Sequence, residues 1–176
     1  TAGTGSEVTY AAIIKDHEQK RKLLFADNYL FPNVAILDPY MTVGLPKLTT
    51  GATGMDALSH CVEAIHSRQS EPIADALALH GIRLIKKYLP RAVDNGGDIV
   101  ARGQMLIAAC IAGAAFSNAQ VGMVHALAHS VGAKFGVPHG IANSILLPYC
   151  ILYNLDACPD RYSQIAQAMG RDIRGM

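Results

Sequence analysis

The chain has 176 residues, enough for one domain that buries roughly two thirds of its unfolded surface. Hydrophobic residues make up 51% of it and charged residues only 16%, so part of its surface is expected to be covered by another domain or subunit. The net charge is +1 and there is no extended basic run, which argues against nucleic acid or an anionic membrane as a partner.

The cysteine pattern and the chain start favour a soluble, cytoplasmic protein. The four cysteines form no CxxC pair and lack the spacing of a disulfide framework, so they are expected to be reduced: Cys61, Cys110, Cys150 and Cys158. No segment resembles a signal peptide, and the longest apolar run, Met105 to Phe116, looks too short to span a bilayer. The first residue is Thr rather than Met, so we expect a truncated chain.

The first forty-odd residues are predicted to be rich in β-structure. Gly3 and Gly5 alternate with hydroxyl residues, which suits either an ordinary turn or one whose amides approach an anion. Two apolar runs, at 8–15 and 23–26, flank a polar turn and predict a hairpin. A third strand is predicted at 34–37.

From Leu45 onward, apolar residues recur at three- and four-residue spacing, which predicts helices. The chain is therefore expected to be mainly α, with a boundary between residues 1–44 and 45–176. Threonines are expected to cap a break in the first helix, and Pro90 is expected to follow the end of the second. The predicted helices cover about 45–67, 72–88, 99–116, a segment with His125 and His129, 141–154 and 159–169.

Three histidines lie within fifteen residues of otherwise small and apolar side chains. His125 and His129 are four apart and share one helix face, while His139 is expected in a loop after a break at Gly136 and Pro138. Any one of the three could be a core histidine bonded to the backbone. Three together favour a pocket of nitrogen ligands.

A second pair, Asp56 and His60, is also four residues apart on one predicted helix. Alone, the pair would suit a hydrogen-bonded couple on an exposed face. Together with the histidine cluster it predicts a site for a divalent metal, iron or zinc. Helical spacing favours His125 and His129 as the partners, although His139 could replace either.

The remaining candidate polar residues are assigned lesser roles. His17, His66 and His80 have no second ligand at a useful spacing and are expected not to bind metal. Glu63, one turn after His60, could accept a hydrogen bond from an imidazole N–H, but an exposed helix glutamate is the expectation.

Four motifs, in the order GMDALSH, AAFSN, GMVHALAH and VPHGIANSILLPY, resemble those of the iron-containing, group III alcohol dehydrogenases. The opening TAGTGSEVT is similar to their cofactor-side segment, so the resemblance covers essentially the whole chain. It implies a multi-helix metal-binding domain at 45–176, preceded at 1–44 by a β-rich remnant of an α/β nucleotide-binding domain.

The resemblance also implies an NAD(P)-dependent oxidoreductase that interconverts primary alcohols or diols and aldehydes on one bound metal. The family's ligands map onto Asp56, His60, His125 and His139, for Fe²⁺ with Zn²⁺ as an alternative. His129 maps onto the histidine that lies beside the nicotinamide and relays a proton.

The remaining mapped positions concern cofactor and substrate. Thr1, Thr4 and Lys22 match positions that contact the cofactor's phosphates and ribose, and Phe116 matches an aromatic residue near the substrate. Family members are about twice as long, with a glycine-rich pyrophosphate loop before the segment that matches Thr1 and further helices at the other end. This chain alone is therefore expected to be inactive and to form homo-oligomers.

Two other functions fit the same ligand set. A helical metal-dependent hydrolase could use it to activate water. A non-catalytic scaffold stabilised by the metal would need no substrate.

Overall fold

The computed structural model describes residues 3–171, and in that range the fold is mainly α. A hairpin of β1, Ala11–Asp16, and β2, Arg21–Ala26, precedes the helices. The six α-helices are α1 Lys47–His66, α2 Pro72–Asp94, α3 Ile99–Ala119, α4 Met123–Phe135, α5 His139–Asn154 and α6 Pro159–Ala168. The predicted fold class is confirmed.

The predicted hairpin is present, although its first strand begins later than expected. The two strands are antiparallel, and the register pairs Ala11 with Ala26. Before them, Gly5 adopts a left-handed conformation with φ 62° and lies against α3, where a Cβ would be only 2.6 Å from the Gly113 Cα. Only glycine on both sides permits this approach.

The predicted third strand at 34–37 is wrong: no strand is formed there in the described chain. Two short 3-10 turns, Asn28–Leu30 and Pro39–Thr42, bracket the segment. Each is capped by the aspartate before it, because the Asp27 and Asp38 side chains accept backbone N–H groups at 2.9 Å. An apolar run needs a neighbouring strand to complete its hydrogen bonds, and residues 3–171 supply none here.

Helix α1 is continuous, so the expected break at its threonines does not occur. The Thr53 hydroxyl instead donates to the Thr49 carbonyl at 2.9 Å, within the same helix. From Asp56 to Ile65, every residue of α1 is buried. It is therefore the central helix of the fold, and it packs against α2, α3 and α5.

Helix α2 continues through Pro90 to Asp94, contrary to the predicted stop. Proline removes one helical hydrogen bond, but the last turn is retained by packing and pairing. Ala92 is buried, and Arg91 forms an ion pair with Asp98 at 2.8 Å. Tertiary contacts here outweigh the local signal.

By length and composition alone, helix α3 could cross a membrane. The apolar run Met105 to Phe116, which looked too short to span a bilayer, is only part of this longer helix. Half of the apolar 18-residue stretch of α3 is buried inside the fold. There α3 packs against α1 and α2, mainly through alanines. Its composition serves close helix packing in this structure.

Candidate metal centre

Asp56 and His60 lie one turn apart on α1, and both side chains are buried. Asp56, His60 and His125 each offer one ligand atom, and these three atoms all lie within 4.8 Å of one another. No other such group of ligand atoms is present among residues 3–171. The alternative of a hydrogen-bonded pair on an exposed face is therefore wrong. A carboxylate and two imidazoles instead converge inside the protein.

His125 reaches this point from the first turn of α4. Its ring stacks on His60 with centroids 4.3 Å apart and planes 19° apart. Its Nε2 atom is 3.5 Å from Asp56 Oδ1. Val124, the preceding residue, is fully buried, so packing anchors the start of this helix beside the site.

His139 is the first residue of α5 rather than a loop residue as expected. Gly136, with φ 71°, ends α4 in the left-handed conformation typical of a helix C-terminus, and Pro138 precedes the new helix. The His139 Nε2 atom is 3.5 Å from Asp56 Oδ1. The distances from this one oxygen to two imidazole nitrogens are therefore equal.

Asn143 completes the cluster, although no sequence motif pointed to it as a site residue. It is fully buried, and its Nδ2 atom donates to Asp56 Oδ1 at 2.6 Å. The same nitrogen is 3.2 Å from His125 Nε2 and 3.3 Å from His139 Nε2. The available signal was its spacing, because Asn143 follows His139 by four residues on one helix face.

Glu63 is fully buried, so the expectation of an exposed glutamate is wrong. Its Oε2 atom is 2.5 Å from His125 Nδ1, and its Oε1 atom accepts the Val124 backbone N–H at 2.7 Å. The start of α4 covers this turn of α1. That contact depends on tertiary packing and leaves no trace in local sequence.

The donor set fits a divalent transition metal. It combines one carboxylate oxygen with imidazole nitrogens, which zinc and iron accept. The His60 Nδ1 atom is buried and has no hydrogen-bond partner in the part of the chain that the structure describes. An unpartnered buried nitrogen in this cluster is available to bind a metal ion.

Family models match both ends of the chain. A model described as Fe-containing alcohol dehydrogenase family, C-terminal, matches residues 50–176, and one described as iron-containing alcohol dehydrogenase matches residues 1–39. The chain belongs to the iron-containing alcohol dehydrogenase family. The resemblance stated from the motifs is thereby confirmed.

Several members of the family are closely similar. The 1,3-propanediol dehydrogenase of Klebsiella pneumoniae is 45% identical over 100% of this chain and 46% of its own length. The NAD-dependent methanol dehydrogenase of Bacillus methanolicus is 44% identical with the same coverage. A crystal structure of 1,3-propanediol oxidoreductase superposes with a TM-score of 0.95 at 45% identity, covering 100% of this chain and 46% of that one. The chain thus spans about half the length of the curated relatives it matches.

Electrostatics distinguish the candidate ligands of this family member. Burial alone would raise the pKa of Asp56, but its hydrogen bond to His125 and the surrounding imidazoles hold it well below its usual value. Burial lowers the pKa of His60 to about 3 and that of His139 to about 4. Burial also acts to lower the pKa of His125, but its bonds to Asp56 and Glu63 raise it to about 9.

The other site residues suggested by the family lie around the cluster. His129 is partly buried, with its ring 5.0 Å from that of His139 and 6.2 Å from that of His125. Phe116 stacks on His60 with centroids 4.3 Å apart. Lys22, on β2, brings its Nζ within 3.5 Å of His139 Nδ1.

The two threonines are less informative. Thr4 is exposed and its hydroxyl is 2.8 Å from that of Ser6. Thr1 lies outside the described residues.

The histidines set aside as non-ligands make other contacts or are exposed. His66 Nδ1 is 2.8 Å from the Tyr162 hydroxyl, while His17 and His80 are exposed. None of the three is in the group of converging ligand atoms found in residues 3–171.

Proposed function

We propose that this chain is the metal-binding part of an NAD(P)-linked alcohol dehydrogenase that interconverts primary alcohols or diols and aldehydes. The observation that carries the proposal is the buried convergence of Asp56, His60 and His125. The names of the relatives, which include 1,3-propanediol, methanol and 1-propanol dehydrogenases, support small alcohols as the substrate class.

In this proposal Asp56, His60, His125 and His139 hold one divalent metal, Fe²⁺ or alternatively Zn²⁺. When bound, the metal supplies Lewis acidity toward a substrate oxygen, and the nicotinamide carries the hydride. Asp56 supplies the only negative charge among the four. The low pKa values of His60 and His139 keep both imidazoles neutral at neutral pH, so each has one nitrogen with a free lone pair.

Two aromatic rings would shape the reaction space. Phe116, stacked on His60, presents an apolar surface that excludes water from that side. His129 is only partly buried, and burial together with the Lys22 charge lowers its pKa to about 4. A neutral imidazole at this position can accept the proton that an alcohol releases and pass it toward solvent.

We propose further that residues 1–44 and 45–176 belong to different domains of the complete protein. The hairpin lies on one side of this boundary and the ligand helices on the other. Lys22 makes a contact across this boundary, because its ammonium group on β2 approaches His139 on α5. A lysine there would contact the phosphate or ribose of a nicotinamide cofactor held between the domains.

The test uses the complete protein, with metal analysis and alcohol-dependent reduction of NAD or NADP. His125→Ala and His139→Ala should each remove both the bound metal and the activity. The matched control is His80→Ala, an exposed histidine of α2, which should keep both. Full activity in the metal-free protein would refute the proposal.

A further inference from the structure

Glu63 is a buried carboxylate that the proposed ligand set does not use. It lies on α1 one turn after His60, with 0% of its surface exposed. No lysine or arginine of the described residues forms an ion pair with it. A buried carboxylate is costly unless its neighbours satisfy it, and the contacts of Glu63 are to the His125 ring and to the backbone of α4.

One oxygen of Glu63 caps a helix that belongs to another part of the fold. Oε1 accepts the Val124 backbone N–H at 2.7 Å. Helix α4 has no cap from its own side chains, because its N-cap residue is Gly122. A Cβ at Gly122 would lie 3.0 Å from Oε1, so the glycine makes room for the carboxylate.

The other oxygen orients His125. Oε2 is 2.5 Å from Nδ1, and an ionised carboxylate can only accept hydrogen bonds. The Nδ1 atom must therefore carry the proton. When the ring is neutral, this tautomer leaves the lone pair on Nε2, the atom that faces Asp56 at 3.5 Å.

We propose that Glu63 is a positioning residue that sets the tautomer and ring orientation of His125 for metal binding while capping α4. A single carboxylate thus determines both where the helix begins and which nitrogen of its histidine points to the metal. The inference rests on the proposed function, since it takes His125 Nε2 as a ligand. Carboxylates behind ligand histidines commonly change metal affinity by about 10- to 100-fold.

The test compares Glu63→Gln with the wild type in the complete protein stripped of metal. Glutamine has the same shape but only one acceptor oxygen, so it cannot accept from both His125 and the Val124 amide. It must either lose one contact or donate to His125 Nδ1, which moves the ring proton to Nε2. We expect the affinity for Zn²⁺, measured by competition with a chelating indicator, to fall about 10- to 100-fold. Glu63→Asp keeps the charge and should lose less.

Glu71→Gln is the matched control. Glu71 caps α2 in the same manner, by accepting the N–H groups of Ile73 at 2.9 Å and Ala74 at 2.5 Å, and no imidazole contacts it in residues 3–171. The same substitution there should leave Zn²⁺ affinity unchanged. Equal affinities of wild type and Glu63→Gln would overturn the inference while the metal site itself stands.

A second measurement does not require the variant to fold. In wild-type protein with ¹⁵N-labelled histidine, nuclear magnetic resonance should show a proton on His125 Nδ1 and none on Nε2 when Zn²⁺ is bound. An unprotonated Nδ1 would overturn the inference. Failure of the wild type to bind Zn²⁺ would instead refute the metal site of the proposed function. At a pH at which the metal-free His125 ring is neutral, the nitrogen that keeps the proton would still decide whether Glu63 orients the ring.

Discussion

Asp56 is the side chain on which the other polar groups of the site converge. One of its oxygens accepts from Asn143 and lies 3.5 Å from two imidazole nitrogens. Such a group is held in place by its neighbours even without a metal, because each hydrogen bond restricts its rotation. The energetic consequences of this arrangement should therefore appear in single-residue variants.

Asn143→Ala should destabilise the metal-free protein. The change removes the bond to Asp56 at full burial, and loss of a buried hydrogen bond costs about 1–3 kcal/mol. Urea unfolding measures the difference. Asn118→Ala is the control, because its amide bonds the Ala114 carbonyl on the exposed side of α3, and it should cost less than about 0.5 kcal/mol. Equal costs would contradict the view that burial makes Asn143 important.

Alanine substitutions of His129 and His139 should have different effects on turnover and on metal binding. His139→Ala removes a proposed ligand and should release the metal. His129→Ala should retain the metal and slow turnover by about 100-fold or more, the usual size of a proton-transfer contribution. Metal content and kcat are measured on the same samples. Loss of metal from His129→Ala would reverse the division of roles between the two rings.

At the scale of elements, the site depends on the close approach of α5 to α1. Gly140 makes this approach possible, because a Cβ there would overlap the backbone carbonyl oxygen of Ala52. The same contact places His139, the preceding residue, opposite Asp56. Helix packing and ligand geometry are thus joined at one position.

Gly140→Ala should force the two helices apart. Overpacking of this kind costs about 1–3 kcal/mol, and it should also weaken metal binding by moving His139. Thermal unfolding and Zn²⁺ titration measure the two effects. Gly44→Ala is the control, since a Cβ there meets nothing within 4 Å, and it should change neither quantity. A Gly140→Ala protein with wild-type Zn²⁺ affinity would argue against this coupling.

Over the whole molecule, large apolar side chains remain exposed on two surfaces. Ile36 is 84% exposed in the segment before α1, and Tyr153 is 78% exposed on α5. Exposed apolar patches mark surfaces that another part of an assembly covers. The curated relatives are about twice the length of this chain, so they contain additional structure that could cover such surfaces.

The 176-residue chain alone should therefore self-associate and show no alcohol-dependent NAD(P) reduction. Sedimentation velocity at several concentrations measures the association. Val34→Lys combined with Ile36→Lys should reduce it without affecting the core, because both side chains are largely exposed. A monomeric wild-type chain at all concentrations would contradict the prediction.

Much of this fold and part of its site can be predicted from local sequence. The helices follow from the periodicity of apolar residues. Asp56 and His60 are four residues apart, and helix geometry alone places residues at that spacing on the same face. The same reasoning failed at 34–37 and at Pro90. In both places the local signal was outweighed by the presence or absence of a packing partner.

Only the tertiary structure decided how the separate motifs meet. Spacing alone favoured His125 with His129, but His139 is the ring whose Nε2 lies 3.5 Å from Asp56, on a helix that Gly140 brings against α1. The burial of Glu63 and the position of Asn143 were likewise settled by contacts between distant segments. Hydrogen bonding within a helix is local, so neighbouring residues in the sequence determine it. The distance between two helices depends instead on every side chain packed between them.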